Sequence, residues 1–213
     1  MQLVFISASA LARPDTLAAA RAYLERVSRE CSLGSIVIDE AAPETSTGLV
    51  ATSVVAAGHA AASASPPVSR GGLDAVAAEA ARPDAELVVL TGAAPLTQCD
   101  RSVVPEAAEI ASLSFEEAAE LAGFSGAGLD QSLAGELARL RTEARILPLG
   151  PGSEGATGTV IGRDGAGGPV KALAIQSGVS AISVSGACLP GKAGIAARLF
   201  RAVGEAGVSV LII

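Results

Sequence analysis

The chain alternates short apolar runs with longer stretches of mixed character. The runs at 2–6, 34–38, 86–91 and 144–149 are each rich in Val, Ile or Leu, and helical character fills 14–29, 72–81, 115–123 and 130–143. Continuously apolar strands are buried on both faces, and strands separated by helices pair in parallel. The pattern therefore predicts an α/β fold, with a parallel sheet covered by helices on both sides. Two helix starts carry their own signals. Ser114 and Glu117 have capping-box spacing, and Asp130 stands where an N-cap belongs before "QSLAGELARLRTEA".

Two stretches depart from this rhythm. Residues 40–70 are rich in Ala, Ser and Pro and read as a loop over the sheet's edge, with one short strand candidate near Leu49–Ala56. Residues 150–168, "GPGSEGATGTVIGRDGAGG", carry eight glycines and read as a flexible linker. Beyond them, "VKALAIQ", "VSAISVSG", "GKAGIAARLFRAVGEAG" and "VSVLII" make a β-β-α-β pattern. An open edge on the last strand, 208–213, would invite a second chain. A homodimer through this sheet is expected.

Composition narrows the function. Half of the 213 residues are hydrophobic but only 2% are aromatic, and the net charge is -7. Few stacking rings and an acidic balance argue against nucleic acid. Cys31, Cys99 and Cys188 form neither a disulfide framework nor a zinc spacing, and fit free thiols in a reducing compartment. No run reaches the roughly 18 apolar residues of a membrane span, and the N-terminus lacks a basic segment of the secretory kind. A cytoplasmic protein with no membrane partner is expected.

The stretch "LVFISASALARPD" at 3–15 is a strand turning through small residues into a helix. Such corners commonly hold anions, because the helix start offers unpaired N–H groups and a positive dipole end. This one contains neither Gly nor Lys.

Three segments resemble the aspartokinase family of the amino-acid kinase fold. "SRGGLDAVAAEAA" resembles the family's R-G-G-S-D segment opening a helix. "DRSVVPEAAEIASLSFEEAAELAGFSGAGL" resembles the segment from D-P-R through I-S-Y-E-E-A to A-K-V-L-H-P. "TGTVIG", followed by residues 170–213, resembles the G-T-L-I junction and the first half of the regulatory ACT region. The resemblance implies a three-layer, parallel-sheet, amino-acid-kinase-like domain at 1–150, the Gly-rich linker at 151–168 and a partial ACT-like (ββαβ) appendage at 169–213.

The departures matter most. Where the family has K-F-G-G-T-S, this chain has Phe5-Ile6-Ser7-Ala8-Ser9-Ala10; where it has T-D-x-D-G, this chain has Thr91-Gly92-Ala93-Ala94-Pro95. The lysine of A-K-V-L-H-P is replaced by Ala127 and its histidine by Asp130. The chain's two lysines, Lys171 and Lys192, both lie in the appendage. Phosphoryl transfer depends on charge clamped to the moving group, so loss of kinase activity is expected, and with it no cofactor.

Each candidate site residue has a plain alternative. Arg70, Gly71 and Gly72 open a helix with Asp74 in its first turn: a ligand corner with an acid or base, or a glycine turn with a favourably placed carboxylate. His59 could act as a general acid or base if its loop folds over the cleft, or be merely solvated. Ser7, Ser9 and Thr91 sit at carboxyl ends of strands, where open α/β sheets bind ligands, though small turn residues need no such role. Asp100 and Arg101 read as a turn, Cys99 as an inert thiol, and Glu116, Glu117 and Glu120 as a cap and a solvated face. Leu189-Pro190-Gly191-Lys192 occupies a turn close to effectors in ACT regions. His59 and Asp74 are the catalytic candidates; Ser7, Ser9, Arg70, Gly71, Gly72 and Thr91 are the ligand-binding ones, and no metal site is expected. Two functions follow: an enzyme converting a small, largely apolar metabolite by cyclisation, isomerisation or dehydration, or a pseudokinase regulating through ACT-like dimerisation or effector binding.

Overall fold

Each of the four apolar runs forms a strand: β1 (Gln2–Ile6), β2 (Leu33–Ile38), β4 (Glu86–Thr91) and β6 (Ala144–Pro148). The computed structural model describes residues 1–30, 33–39, 41–42, 68–80, 82, 85–124, 129–153, 155–168, 170–175, 178–185 and 193–210. Three shorter strands join them: β3 (Val68–Arg70), β5 (Ser112–Ser114) and β7 (Thr159–Gly162). The sheet order is β3-β2-β1-β4-β6-β7-β5. Every pairing is parallel except that of β6 with β7.

Alternate residues of the central strands enter two separate cores, which is why these strands show no polar face in sequence. Leu3, Phe5, Val37, Leu87 and Val89 pack on one side, with α3 (Asp74–Ala80), α4 (Phe115–Ala122) and α5 (Gln131–Leu140). Val4, Ile6, Ile36, Ile38, Val88 and Leu90 pack on the other, with α1 (Ala8–Leu11) and α2 (Pro14–Glu30). The result is three layers. Burying each such Leu, Ile or Phe contributes about 1.5–3 kcal/mol, so the two cores hold the sheet in place against the helices.

Both helix-start signals are realised. The Ser114 hydroxyl accepts from the Glu117 N–H at 3.1 Å, while the Glu117 carboxylate accepts from the Ser114 N–H at 2.7 Å. Lys171 adds an ion pair to Glu117 at 2.9 Å. Asp130 accepts from the Leu133 N–H at 3.0 Å. At the amino-terminal edge of the sheet, Tyr23 donates to Gln2, Gln2 to Glu86, and Arg145 pairs with Glu86 at 2.8 Å. This edge is closed by side chains. The carboxyl edge is not.

Three expectations need correction. β7 falls inside 151–168, the run read as a linker. Its glycines serve close packing instead: Gly158 has φ 77° beside the Ile146 carbonyl, and Ile161 is fully buried. β3 falls inside the 40–70 loop, because Val68–Arg70 pairs with Ile36–Ile38; the strand candidate near Leu49–Ala56 lies outside the described residues. The ββαβ appendage is only partly formed. Contacts divide the chain into Met1–Gln176 and Ser177–Ile213. Residues 170–175 lie in the first unit, with one isolated bridge between Leu173 and Cys99. The second unit has one regular element among its described residues, α6 (Ile195–Glu205), and no strand at 178–185 or 208–210. A strand needs a hydrogen-bonded neighbour, and none is formed there among the described residues. No helix among them is long and apolar enough to cross a membrane.

Two glycines give opposite predictions for one substitution. A Cβ on Gly92 would collide with the Ser9 carbonyl, whereas nothing lies within 4 Å of one on Gly135 in α5. Gly92→Ala should therefore destabilise by about 1–3 kcal/mol, and Gly135→Ala should stabilise by about 0.5–1 kcal/mol. Urea denaturation of both variants checks the pair.

Candidate functional site

Strand pairing sets a row of polar groups at the carboxyl edge. Ile6 is in register with Ile38 on one side and Leu90 on the other, so the next residues, Asp39, Ser7 and Thr91, stand abreast. The Asp39 N–H donates to the Ile6 carbonyl at 2.9 Å and the Ser7 N–H to Leu90 at 3.0 Å, extending the ladder by one step. With strands about 4.8 Å apart, the row is about 10 Å wide. By the two-residue period of a strand, it continues the face of Phe5, Val37 and Val89. That face lies beneath α4 and α5.

Above the row is a cleft of about 730 Å³. Phe5, Leu73, Ala122, Leu129 and Leu133 give it an apolar lining, and Phe124 stands at its side, 38% exposed. Ser7, Ser9 and Thr91 supply hydroxyls, and Asp39, Asp130 and Glu136 supply carboxylates. None of the described lining residues is Lys or Arg. The hollow has apolar walls but is acidic, which composition alone did not reveal.

The corner after β1 is filled from within. The Ala8 N–H, first of α1, donates to the Asp39 carboxylate at 3.3 Å, and the other carboxylate oxygen accepts from the Ala41 N–H at 3.0 Å. The Ser7 and Ser9 hydroxyls lie 2.9 Å apart, and the Gly92 N–H donates to Ser9 Oγ at 3.1 Å. Gly92 thus brings the loop after β4 against α1. On the far wall, Asp130 accepts from the Ser132 hydroxyl as well as Leu133. Chiefly the Ser132 hydroxyl, then the Leu133 N–H, hold its carboxyl below the usual aspartate range. Glu136 is paired with Arg139 at 2.6 Å; that hydrogen bond and charge, with a smaller contribution from Asp74, hold the Arg139 proton more tightly.

The structure brings together Ser7, Ser9 and Thr91 of the sequence candidates. Gly71 is buried and donates to the Ile38 carbonyl at 3.1 Å; Gly71, Gly72 and Asp74 are not among the lining residues, whereas the adjacent Leu73 is. Asp74 is exposed on the first turn of α3. The Arg70 backbone pairs with Ile38. His59, Cys31, Cys188, the Arg70 side chain and residues 189–192 lie outside the described set. Asp100 closes a turn, accepting from the Ser102 N–H at 2.8 Å, and Arg101 pairs with Glu109. Glu116 pairs with Arg141, and Glu117 completes the capping box. Cys99 is a half-buried free thiol.

Sequence reading missed Asp39 as a site residue, although it follows β2 just as Ser7 follows β1. It read Asp130 as a cap that stands in place of the family's histidine, not as a ligand residue, and gave no role to Phe124, Gln131, Ser132 or Glu136. Among the described residues no group of three His, Cys, Asp or Glu is placed to hold a metal ion.

No family model matches the chain. Among solved structures, the aspartate kinase from Synechocystis superposes with a TM-score of 0.55 at 14% identity, over 78% of this chain and 40% of the kinase. The fold is that of the amino-acid kinases. The chain spans 40% of the length of that aspartate kinase, and the identity carries fold alone. An isopentenyl phosphate kinase in its substrate complex matches at 15% identity and a TM-score of 0.48, over 76% of this chain and 99% of that one. Aspartokinase as the specific family is not singled out by these likenesses.

Asp130 generates a pH prediction. Its depressed pKa means that its cap contribution is fully present above the ordinary 3.8 and is lost as pH falls through the lower folded value. Asp130→Ala should cost about 1 kcal/mol at neutral pH, with the gap to the parent narrowing in acid. Denaturant melts across that range read the difference directly.

Proposed function

We propose that this chain is an enzyme on an amino-acid-kinase fold that has left phosphoryl transfer and converts a small, largely apolar metabolite by cyclisation, isomerisation or dehydration, without a cofactor, in the cytoplasm. The observation that carries the reading is the Asp39 carboxylate seated on the Ala8 N–H. A helix-start N–H that would favour a phosphate is already used by a negative group, and like charge at that point repels a second anion. The cleft has apolar walls and a few convergent polar groups, as small-molecule sites commonly do. Such a site accelerates unimolecular steps by holding a reactive conformer. Ser7 and Thr91 orient the ligand, and Asp39 is the carboxylate placed to exchange a proton with it. His59 is retained as a second acid or base, tested by mutation.

Thermal-shift titration separates this reading from a kinase. Magnesium–ATP should leave the melting temperature unchanged, whereas a bound ligand at a hundred times its Kd would stabilise by about 2.7 kcal/mol. A saturable rise with magnesium–ATP overturns the proposal.

A regulatory pseudokinase is the second reading, favoured by the unit Ser177–Ile213. Ile182, Val184, Phe200, Val208 and Val210 are exposed there, and no residue of α6 is buried. A helix with an apolar face stabilises by burying it, and pairing of ACT-like units in a homodimer would do so. Sedimentation should then show a dimer that Phe200→Glu converts to monomer; a monomeric parent chain removes this reading.

A further inference from the structure

The cleft's polar groups select a ligand charge. Thr91 is 7% exposed, lines the cleft, and its hydroxyl has no hydrogen-bond partner among the described residues. Its oxygen keeps solvent contact, since the buried unpaired side-chain atoms among the described residues are Arg21 Nε and Ser153 Oγ, so the hydroxyl is open to a polar atom in the cleft. Asp39 and Asp130 lie in the same lining, and neither forms an ion pair with a described residue. Glu136 differs, since Arg139 neutralises it. The Ser7 and Ser9 hydroxyls share one hydrogen bond, which leaves one of the two O–H groups with a proton to donate.

An ammonium group brings three donors and no acceptor, and carboxylates and hydroxyls can all accept from it. A carboxylate or phosphate would meet two like charges and no cation from the described lining. Phe5, Leu73, Leu129 and Leu133 would cover an apolar body but would leave a bare hydrated metal ion without purpose. From this arrangement we infer that the cleft takes a small molecule carrying a protonated amine on a compact apolar body, the amine drawn to the negative charge of Asp39 and Asp130. This rests on the reading of the cleft as the ligand site, and adds the substrate class.

Cyclohexylammonium, cyclohexanol and cyclohexanecarboxylate share a body and differ in head group. Calorimetric titration of the full chain in amine-free buffer should show binding of the ammonium ion, binding of the alcohol weaker by roughly tenfold or more, and none of the carboxylate. Asp39→Asn and Asp130→Asn should each weaken the ammonium complex by roughly tenfold, and the alcohol complex by much less. Asn remains a good N-cap, so the second variant keeps α5 intact. Equal affinity for alcohol and ammonium, or indifference of ammonium binding to both Asn variants, overturns the inference and leaves the apolar-ligand reading standing. Binding of none of the three overturns both.

Discussion

Parallel in-register pairing of β2, β1 and β4 is the constraint on which the rest depends. Because the partners of Ile6 are Ile38 and Leu90, the residues that follow emerge together, on one face, at one depth. Three unrelated positions in sequence, Ser7, Asp39 and Thr91, become one row. A shift of a single residue would turn Asp39 into the opposite core, among Ile36 and Ile38, since the side-chain period of a strand is two. The two cores prevent that slip, for each apolar residue would also change sides.

The row acquires its chemistry from what each group already holds. Asp39 is committed to the backbone N–H groups of Ala8 and Ala41, so it is both a structural tie and the reason the corner is anionic. Ser7 and Ser9 pair with each other, and Thr91 is left over. A carboxylate that accepts one N–H at each oxygen keeps lone pairs for a further donor, so Asp39 can serve the fold and a ligand together.

The roof over the row depends on local rules rather than on the sheet. The capping box at Ser114 fixes the start of α4, and the Asp130 cap fixes that of α5. Between these two helices the cleft gains its far wall. Lys171 reinforces α4 through Glu117, so a residue of the apparent appendage serves the first unit. The second unit is left with a helix that buries nothing of its own.

Local signals by themselves determined a good deal: four apolar runs became the four longest strands, Ser114–Glu117 and Asp130 became caps, and Ser7, Ser9 and Thr91 reached the cleft. These depend on short-range hydrogen bonds and on burial of whole strands, both readable over a few residues. Tertiary structure alone decided that β7 completes a sheet rather than a linker, since glycine reads as freedom until a neighbouring carbonyl shows why a side chain is barred. It alone placed Asp39 beside Ala8, 31 residues away in sequence, and made Asp130 a wall as well as a cap. The acidity of the cleft arises from which chain segments meet, and strand register, not composition, sets that.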